Sequence, residues 1–189
     1  MSFKEVYINN TSSFFPNDPV SNDEMEEYLG YINGSPSRSK GIVLRNNGIK
    51  RRFYALKKGG ASTHTNAQMT AMAVKDLFKN NPEDIKSIEL LSCGTSSPDQ
   101  MMPSHGVMVH GWLPETNAVE VVSPSGVCCA GMHAFKYAYL STKTGSVQQS
   151  VATGSERMSV SLVSSNFEDE AQKLKELAAD PYIGFEKNF

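Results

Sequence analysis

Cysteine and tryptophan are scarce: the 189 residues hold three cysteines and one tryptophan. Cys128 and Cys129 are neighbours, so the cysteines do not form the spaced framework of a disulfide-stapled secreted domain. A reducing, cytoplasmic setting is the expectation. No apolar run reaches the roughly 18 residues that a membrane-spanning helix needs, so no membrane partner is expected. The opening Met1-Ser2-Phe3-Lys4-Glu5 lacks the charged, apolar and small-residue succession of a secretory signal. There is no CxxC or HExxH pattern, and His105 and His110 stand five apart, a poor spacing for a shared helical metal site. No metal is expected. Lys57-Lys58-Gly59-Gly60 lacks the spacing of a phosphate-binding loop and reads as a turn; no cofactor is read from the sequence.

What is present is an ordinary folded composition, 39% hydrophobic and 20% charged, at a length suited to one domain. The net charge of −2 hides an uneven distribution. Residues 1–35 carry six acids against the single base Lys4, whereas residues 36–58 carry eight bases (Arg38, Lys40, Arg45, Lys50, Arg51, Arg52, Lys57, Lys58) and no acid. That stretch is a local positive field able to attract a phosphate or an acidic partner, or else a solvated loop and strand edge. No aromatic interleaving or recognised motif accompanies it, so nucleic acid is not expected.

Periodicity and turn chemistry predict alternating strands and helices. Strands are expected at Val6–Asn9, Ile88–Cys93, Ala118–Val122 and Ser150–Thr153. Helices are expected after a Ser21/Glu24 capping box and closing at Gly30 or Gly34, over 64–80, over 103–111, over Cys129–Leu140, and as an acidic amphipathic helix over 167–180. Tyr182-Ile183-Gly184-Phe185 follows the last of these. The helix from Cys129 is apolar on nearly all sides, as a buried central helix would be. The alternation points to an α/β layered fold with a mixed, mostly parallel sheet.

The chemically distinctive stretch is Ser125-Gly126-Val127-Cys128-Cys129-Ala130-Gly131, where a strand runs into a helix through small residues. A cysteine in the first helical turn meets the positive end of the helix dipole, which favours the nucleophilic thiolate. The unpaired N–H groups of that turn are free to bind an oxyanion. Cys129 is the candidate, against the commoner role of a buried cysteine as a small hydrophobe. Cys128 is the competitor, and adjacent residues do not face one pocket. Cys93 reads as core. His133, four residues after Cys129, falls on the same helix face, able to perturb the thiolate or to serve as an ordinary partner-bonded histidine.

Four segments in order resemble the N-terminal half of a β-ketoacyl-acyl-carrier-protein synthase III of the thiolase-like superfamily. They are Gly41-Ile42-Val43-Leu44-Arg45-Asn46-Asn47-Gly48-Ile49-Lys50-Arg51-Arg52, Ser97-Pro98-Asp99 with Pro103-Ser104, Cys129-Ala130-Gly131, and Gly154-Ser155-Glu156. The resemblance implies that residues 1–189 form a thiolase-like half-domain without the family's C-terminal half; a fragment of a longer enzyme is the favoured expectation, against a site completed by a second polypeptide or a degenerate relative. It implies that Cys129 accepts an acyl group from a thioester and contributes its N–H to an oxyanion hole. A malonyl-type thioester then loses carbon dioxide and attacks the acyl-cysteine. It further implies a homodimer in which Met102 lines the partner's acyl pocket, the other reading of Met102 being core packing. Arg45, Arg51 and Arg52 would meet acyl carrier protein or the phosphate of a coenzyme A thioester.

The chain departs from the family in instructive places. The family's decarboxylating His and Asn lie in its C-terminal half, and none of His64, His105, His110 or His133 matches that His. Gly41 stands where some members carry a tryptophan that stacks on coenzyme A, and Val160 where they carry an arginine. These changes favour an acidic carrier protein facing the basic 36–58 stretch, with Arg157 a substitute for the missing arginine. Non-condensing acyl transfer and a non-catalytic partner subunit are the alternative functions.

Overall fold

The computed structural model describes residues 3–32, 34–37 and 39–179; Arg38 and the Tyr182–Phe185 segment lie outside them. In chain order the elements are β1 (Val20–Ser21), α1 (Met25–Leu29), α2 (Lys40–Asn47), β2 (Arg51–Arg52), α3 (Asn66–Leu77), β3 (Leu90–Gly94), α4 (His105–Gly111), β4 (Glu120–Val122), α5 (Ala130–Thr144), β5 (Ser150–Gly154) and α6 (Glu168–Ala179). They divide into two compact units, Met1–Pro16 with His64–Arg157, and Asn17–Thr63 with Met158–Phe189.

The first unit is built on β3, which lies between β4 and β5 and runs parallel to both, with Leu91 opposite Val121 and Val151. A strand paired on both edges and covered on both faces has no solvent side. Accordingly every residue of Leu90-Leu91-Ser92-Cys93-Gly94 is buried. Its side chains still alternate between two layers. Leu91 and Cys93 pack with Ala67, Ala71 and Val74 of α3 and with Val109 and Leu113 at and beyond α4. Leu90 faces the opposite way, onto Ala138 of α5 and Val147. The result is the helix–sheet–helix layering expected of an α/β chain.

Two features set where α5 begins. The N-terminus of α3, in the opposite layer, is fully capped: Thr65 and Gln68 form a reciprocal capping box, and Asp99 accepts from the N–H groups of Asn66 (2.8 Å) and Ala67 (2.9 Å). This fixes the loop after β3. Then α5 approaches the sheet backbone to backbone. A Cβ on Gly94 would overlap the carbonyl oxygen of Ala130, and one on Gly131 would lie 3.1 Å from the Cα of Gly154.

Three expectations need correction. The α5 helix is not buried all round: Ala130, Ala134 and Ala138 are buried, while Met132, Phe135, Tyr139 and Leu140 are exposed. One sheet offers one surface, and a stripe of alanines four apart occupies it. Val6–Asn9 is not a strand, and Tyr7 and Ile8 are exposed. That segment is held instead by side-chain bonds from Asn10 to the Leu77 carbonyl and from Ser12 to the Ala73 carbonyl. Finally, part of the basic stretch read as loop or strand edge is the helix α2, closed by Gly48 in the left-handed conformation (φ 69°).

In the second unit, β1 pairs antiparallel with β2, Val20 opposite Arg52. Val20, Tyr54 and Leu56 form its core, with Tyr28, Leu29, Val160 and Val163 packed against them. The Ser21/Glu24 bonds form, the Ser21 N–H donating to the Glu24 carboxylate (3.0 Å) and the Glu24 N–H to Ser21 Oγ (3.4 Å), but they close the turn ahead of α1 and do not cap it: the N-cap is Glu24, which has no side-chain cap bond. Gly30 closes α1. Lys57–Gly60 is a turn, with the Gly60 N–H donating to the Lys57 carbonyl at 3.0 Å.

Gly94→Ala is therefore expected to destabilise the chain by about 1–3 kcal/mol, because backbone rather than a flexible side chain must give way. Gly41→Ala, at a helical position with nothing within 4 Å, should be neutral or mildly stabilising. Urea unfolding of the two variants checks both.

Candidate active site

Cys129 sits at the N-cap of α5, past the carboxyl end of β4, where a parallel sheet leaves its ligand crevice. The turn that delivers it is organised by one carbonyl. Gly126 O accepts from the N–H of Ala130 (3.0 Å), the N–H of Cys129 (3.3 Å) and the hydroxyl of Ser96 (3.2 Å). Between them Cys128 takes a left-handed backbone (φ 62°), unusual for a residue with a side chain and costing on the order of 1–2 kcal/mol. Strain of this kind is held only where the surroundings over-determine it.

Gly126 is also closely packed. A Cβ there would lie 2.9 Å from Cys129 Sγ and 3.7 Å from His133 Nδ1 and Cε1, so glycine is what lets the sulfur sit against the turn. Sulfur and imidazole thus lie against the same residue, with Sγ and Nδ1 3.9 Å apart. Cys129 and His133 are both exposed.

Behind the turn, hydrogen bonds run from Glu156, two residues past β5, through Ser96 to Gly126. The Glu156 carboxylate accepts from the Ser96 N–H (2.7 Å) and from Ser97 Oγ (2.6 Å), and Ser96 in turn reaches Gly126. Burial pushes the Glu156 carboxyl up, but these hydrogen bonds outweigh it and hold the group below the usual carboxylate range. Deeper, Asn66 donates to Thr95 Oγ1 and the Ser97 carbonyl, each at 2.9 Å, and Thr70 donates to Ser155 Oγ (2.8 Å). His105 Nε2 joins this group at 3.1 Å from Ser155 Oγ. Burial lowers the His105 pKa, opposed by the charges of Asp99 and Glu156.

The sequence-derived candidates are distributed as follows. Cys129 and Met102 belong to the first unit, and Arg45, in α2, and Arg51 and Arg52, in β2, belong to the second. Met101 and Met102 are 91% and 86% exposed, so Met102 is not core in this chain. Arg45 and Arg51 are exposed, while Arg52 is partly buried with Nη1 lacking a partner among the described residues. Arg157 is committed elsewhere, to Asp99 (3.1 Å) and the His64 carbonyl (3.0 Å). The Cys129 N–H, expected to be free for an oxyanion, is engaged by the long bond to Gly126, because the turn folds the amide back on itself.

Residue-level reading missed Ser96, Glu156 as a tether, Asp99 as a helix cap, and the buried set around His105. Each depends on contacts between segments far apart in sequence. The one local signal was glycine at 126. Among the described residues, no three of His, Cys, Asp and Glu gather as a metal site requires, and no helix is long and apolar enough to cross a membrane.

Two measurements follow from these environments. Burial pushes the Cys93 thiol up to about 12, against a hydrogen bond from Thr153 that lowers it. Iodoacetamide at about pH 8 should therefore alkylate Cys128 and Cys129 and leave Cys93 unlabelled until the chain is unfolded, as read by peptide mass. For His105, the unfolded chain takes up a proton at a higher pH than the folded chain does. Its contribution is thus fully present above the ordinary histidine range and is lost as pH falls through that range and below it. Urea midpoints across that range should decline with acid, and His105→Gln should flatten the decline.

Comparison with known proteins gives the arrangement a setting. No family model matches the chain. The β-ketoacyl-[acyl-carrier-protein] synthase III of Neisseria gonorrhoeae is 26% identical over 152 residues, 80% of this chain and 44% of that protein. The crystal structure of the synthase III from Thermus thermophilus superposes with a TM-score of 0.65 at 19% identity, covering 82% of this chain and 44% of that one. A variant of OleA from Xanthomonas campestris gives a TM-score of 0.65 at 17% identity, over 100% of this chain and 53% of that one. The chain spans less than half the length of the curated relative it matches. Its α/β architecture is thiolase-like, as the ordered motifs imply. In sequence and in fold, the chain is similar to about half of a β-ketoacyl-[acyl-carrier-protein] synthase III.

Proposed function

We propose that this chain carries the acyl-accepting half of a ketosynthase-type condensation, with Cys129 as the nucleophile. The observation that supports this most directly is the placement of Cys129. It is an exposed thiol at the N-terminus of a 15-residue helix, presented by a strained turn and backed by a hydrogen-bonded tether from Glu156. A thiolate attacks thioesters well and leaves well, so one difficult transfer becomes two easier ones. The first-turn amides of α5 lie where the tetrahedral oxyanion would develop. The Cys129 N–H can serve there once its long bond to Gly126 is given up.

In this reading an acyl group arrives on acyl carrier protein or coenzyme A, and Arg45, Arg51 and Arg52 engage the carrier or its phosphate. A malonyl-type thioester is the second substrate, its decarboxylation assisted by residues that the family resemblance places outside this chain. Met102, exposed in the loop before α4, lines the acyl pocket of a second copy. The exposed apolar residues of α5 and the shared motifs suit a chain that works together with further protein surface, whether in the same polypeptide or in another.

Incubation with an acyl thioester, followed by intact and peptide mass measurement, tests the reading. An acyl adduct on Cys129 is expected, retained in Cys128→Ala and abolished in Cys129→Ala. An adduct carried by Cys128 instead, or no adduct on the folded wild-type chain, overturns it.

A further inference from the structure

We infer that His133 is a catalytic partner of Cys129, and that the pair gives the chain a thioester hydrolase activity in addition to acyl transfer; the inference rests on Cys129 being acylated. Three observations carry it. His133 lies one helical turn after Cys129 on the same face of α5, with Nδ1 3.9 Å from Sγ. Catalytic contacts of this kind are often long before substrate is bound and tighten with it. A Cβ built on Gly126 would meet Cys129 Sγ at 2.9 Å and the His133 ring at 3.7 Å, so sulfur and imidazole pack against the same turn and face one another there. Both side chains are exposed, so water has access to the acyl-cysteine. By contrast, His105, whose Nε2 lies 3.1 Å from the Ser155 hydroxyl, is buried.

The chemistry balances without an oxidant or reductant. With the ring proton on Nε2, Nδ1 is an acceptor facing the thiol. The Sγ proton passes to Nδ1 as Sγ bonds to the thioester carbonyl carbon. The carbon–sulfur bond of the substrate breaks, and the leaving thiolate takes that proton from His133. A water molecule then gives a proton to Nδ1 as its oxygen bonds to the acyl carbon. The bond from Sγ to the acyl group breaks, and the proton returns to Sγ. The sum is thioester plus water giving carboxylic acid plus thiol. The substrate class is a simple acyl thioester, because nothing in the step requires the carrier.

The test uses the full chain and octanoyl-N-acetylcysteamine, a thioester without carrier or phosphate. After a short pulse, excess substrate is removed, and the Cys129 adduct and released octanoate are followed by mass. In the wild type the adduct decays with equivalent release of octanoate. In His133→Ala and His133→Asn the decay is expected to slow by about 100-fold, the ordinary contribution of a positioned general base. Free imidazole should restore the rate in His133→Ala, which a merely structural role for His133 would not allow. Equal decay in wild type and both variants overturns the inference while leaving Cys129 as the acyl acceptor. Absence of both an adduct and octanoate release in the wild type overturns the acyl-acceptor reading itself, and this inference with it.

Discussion

The backbone of α5 touches the backbone of two strands, and that contact exists only because Gly94, Gly131 and Gly154 carry no Cβ. A helix normally stands off a sheet by the thickness of two layers of side chains. Here the first turn is let down onto β3 and β5, and the alanines at 130, 134 and 138 continue the close seat along the helix. The start of α5 is thereby fixed to the ends of the central strands, and with it the sulfur of Cys129. Close seating also explains the tight turn before it. The chain leaving β4 must drop into the crevice within a few residues, and the positive-φ backbones of Gly126 and Cys128 accomplish that change of direction.

Polar groups do the complementary work. Glu156 at the end of β5 holds the loop after β3 through Ser96 and Ser97, and Ser96 holds Gly126. Asp99 in the same loop caps α3 and pairs with Arg157, which follows β5. One loop therefore couples the helix on one face of the sheet to the turn that presents Cys129 on the other. These bonds lie between segments brought together by the parallel sheet, so they are available only after all three strands have formed.

What could be read from the sequence tracks how local each cause is. The small residues around Cys129 and the Gly154-Ser155-Glu156 segment were visible because their motifs are contiguous. The central strand was visible because a strand buried on both faces writes an unbroken apolar run. The helix α2 was not, since a helix that buries no side chain leaves no periodicity to detect. Val6–Asn9 carries strand-like residues, but strand formation requires a partner edge, and its own sequence cannot say whether one is offered. The apolar circumference of α5 was read correctly as composition and wrongly as burial within this chain, because burial depends on how many surfaces surround a helix. The tether through Ser96, Glu156 and Gly126 joins three separated segments and has no contiguous signature at all.

The order of strands in the sheet has a consequence for the birth of the molecule. The central strand, β3, is made before both of its neighbours, β4 and β5. As the chain leaves the ribosome, Leu90 and Leu91 emerge with both edges of their strand unpaired and must wait for residues 120–122 and 150–154. Parallel pairing of this kind closes long loops and forms slowly. During synthesis the most apolar strand of the fold is thus also its most adhesive one. The α3 helix, complete before β3 appears and already able to present Ala67, Ala71 and Val74, is the surface on which that strand can shelter until its partners arrive.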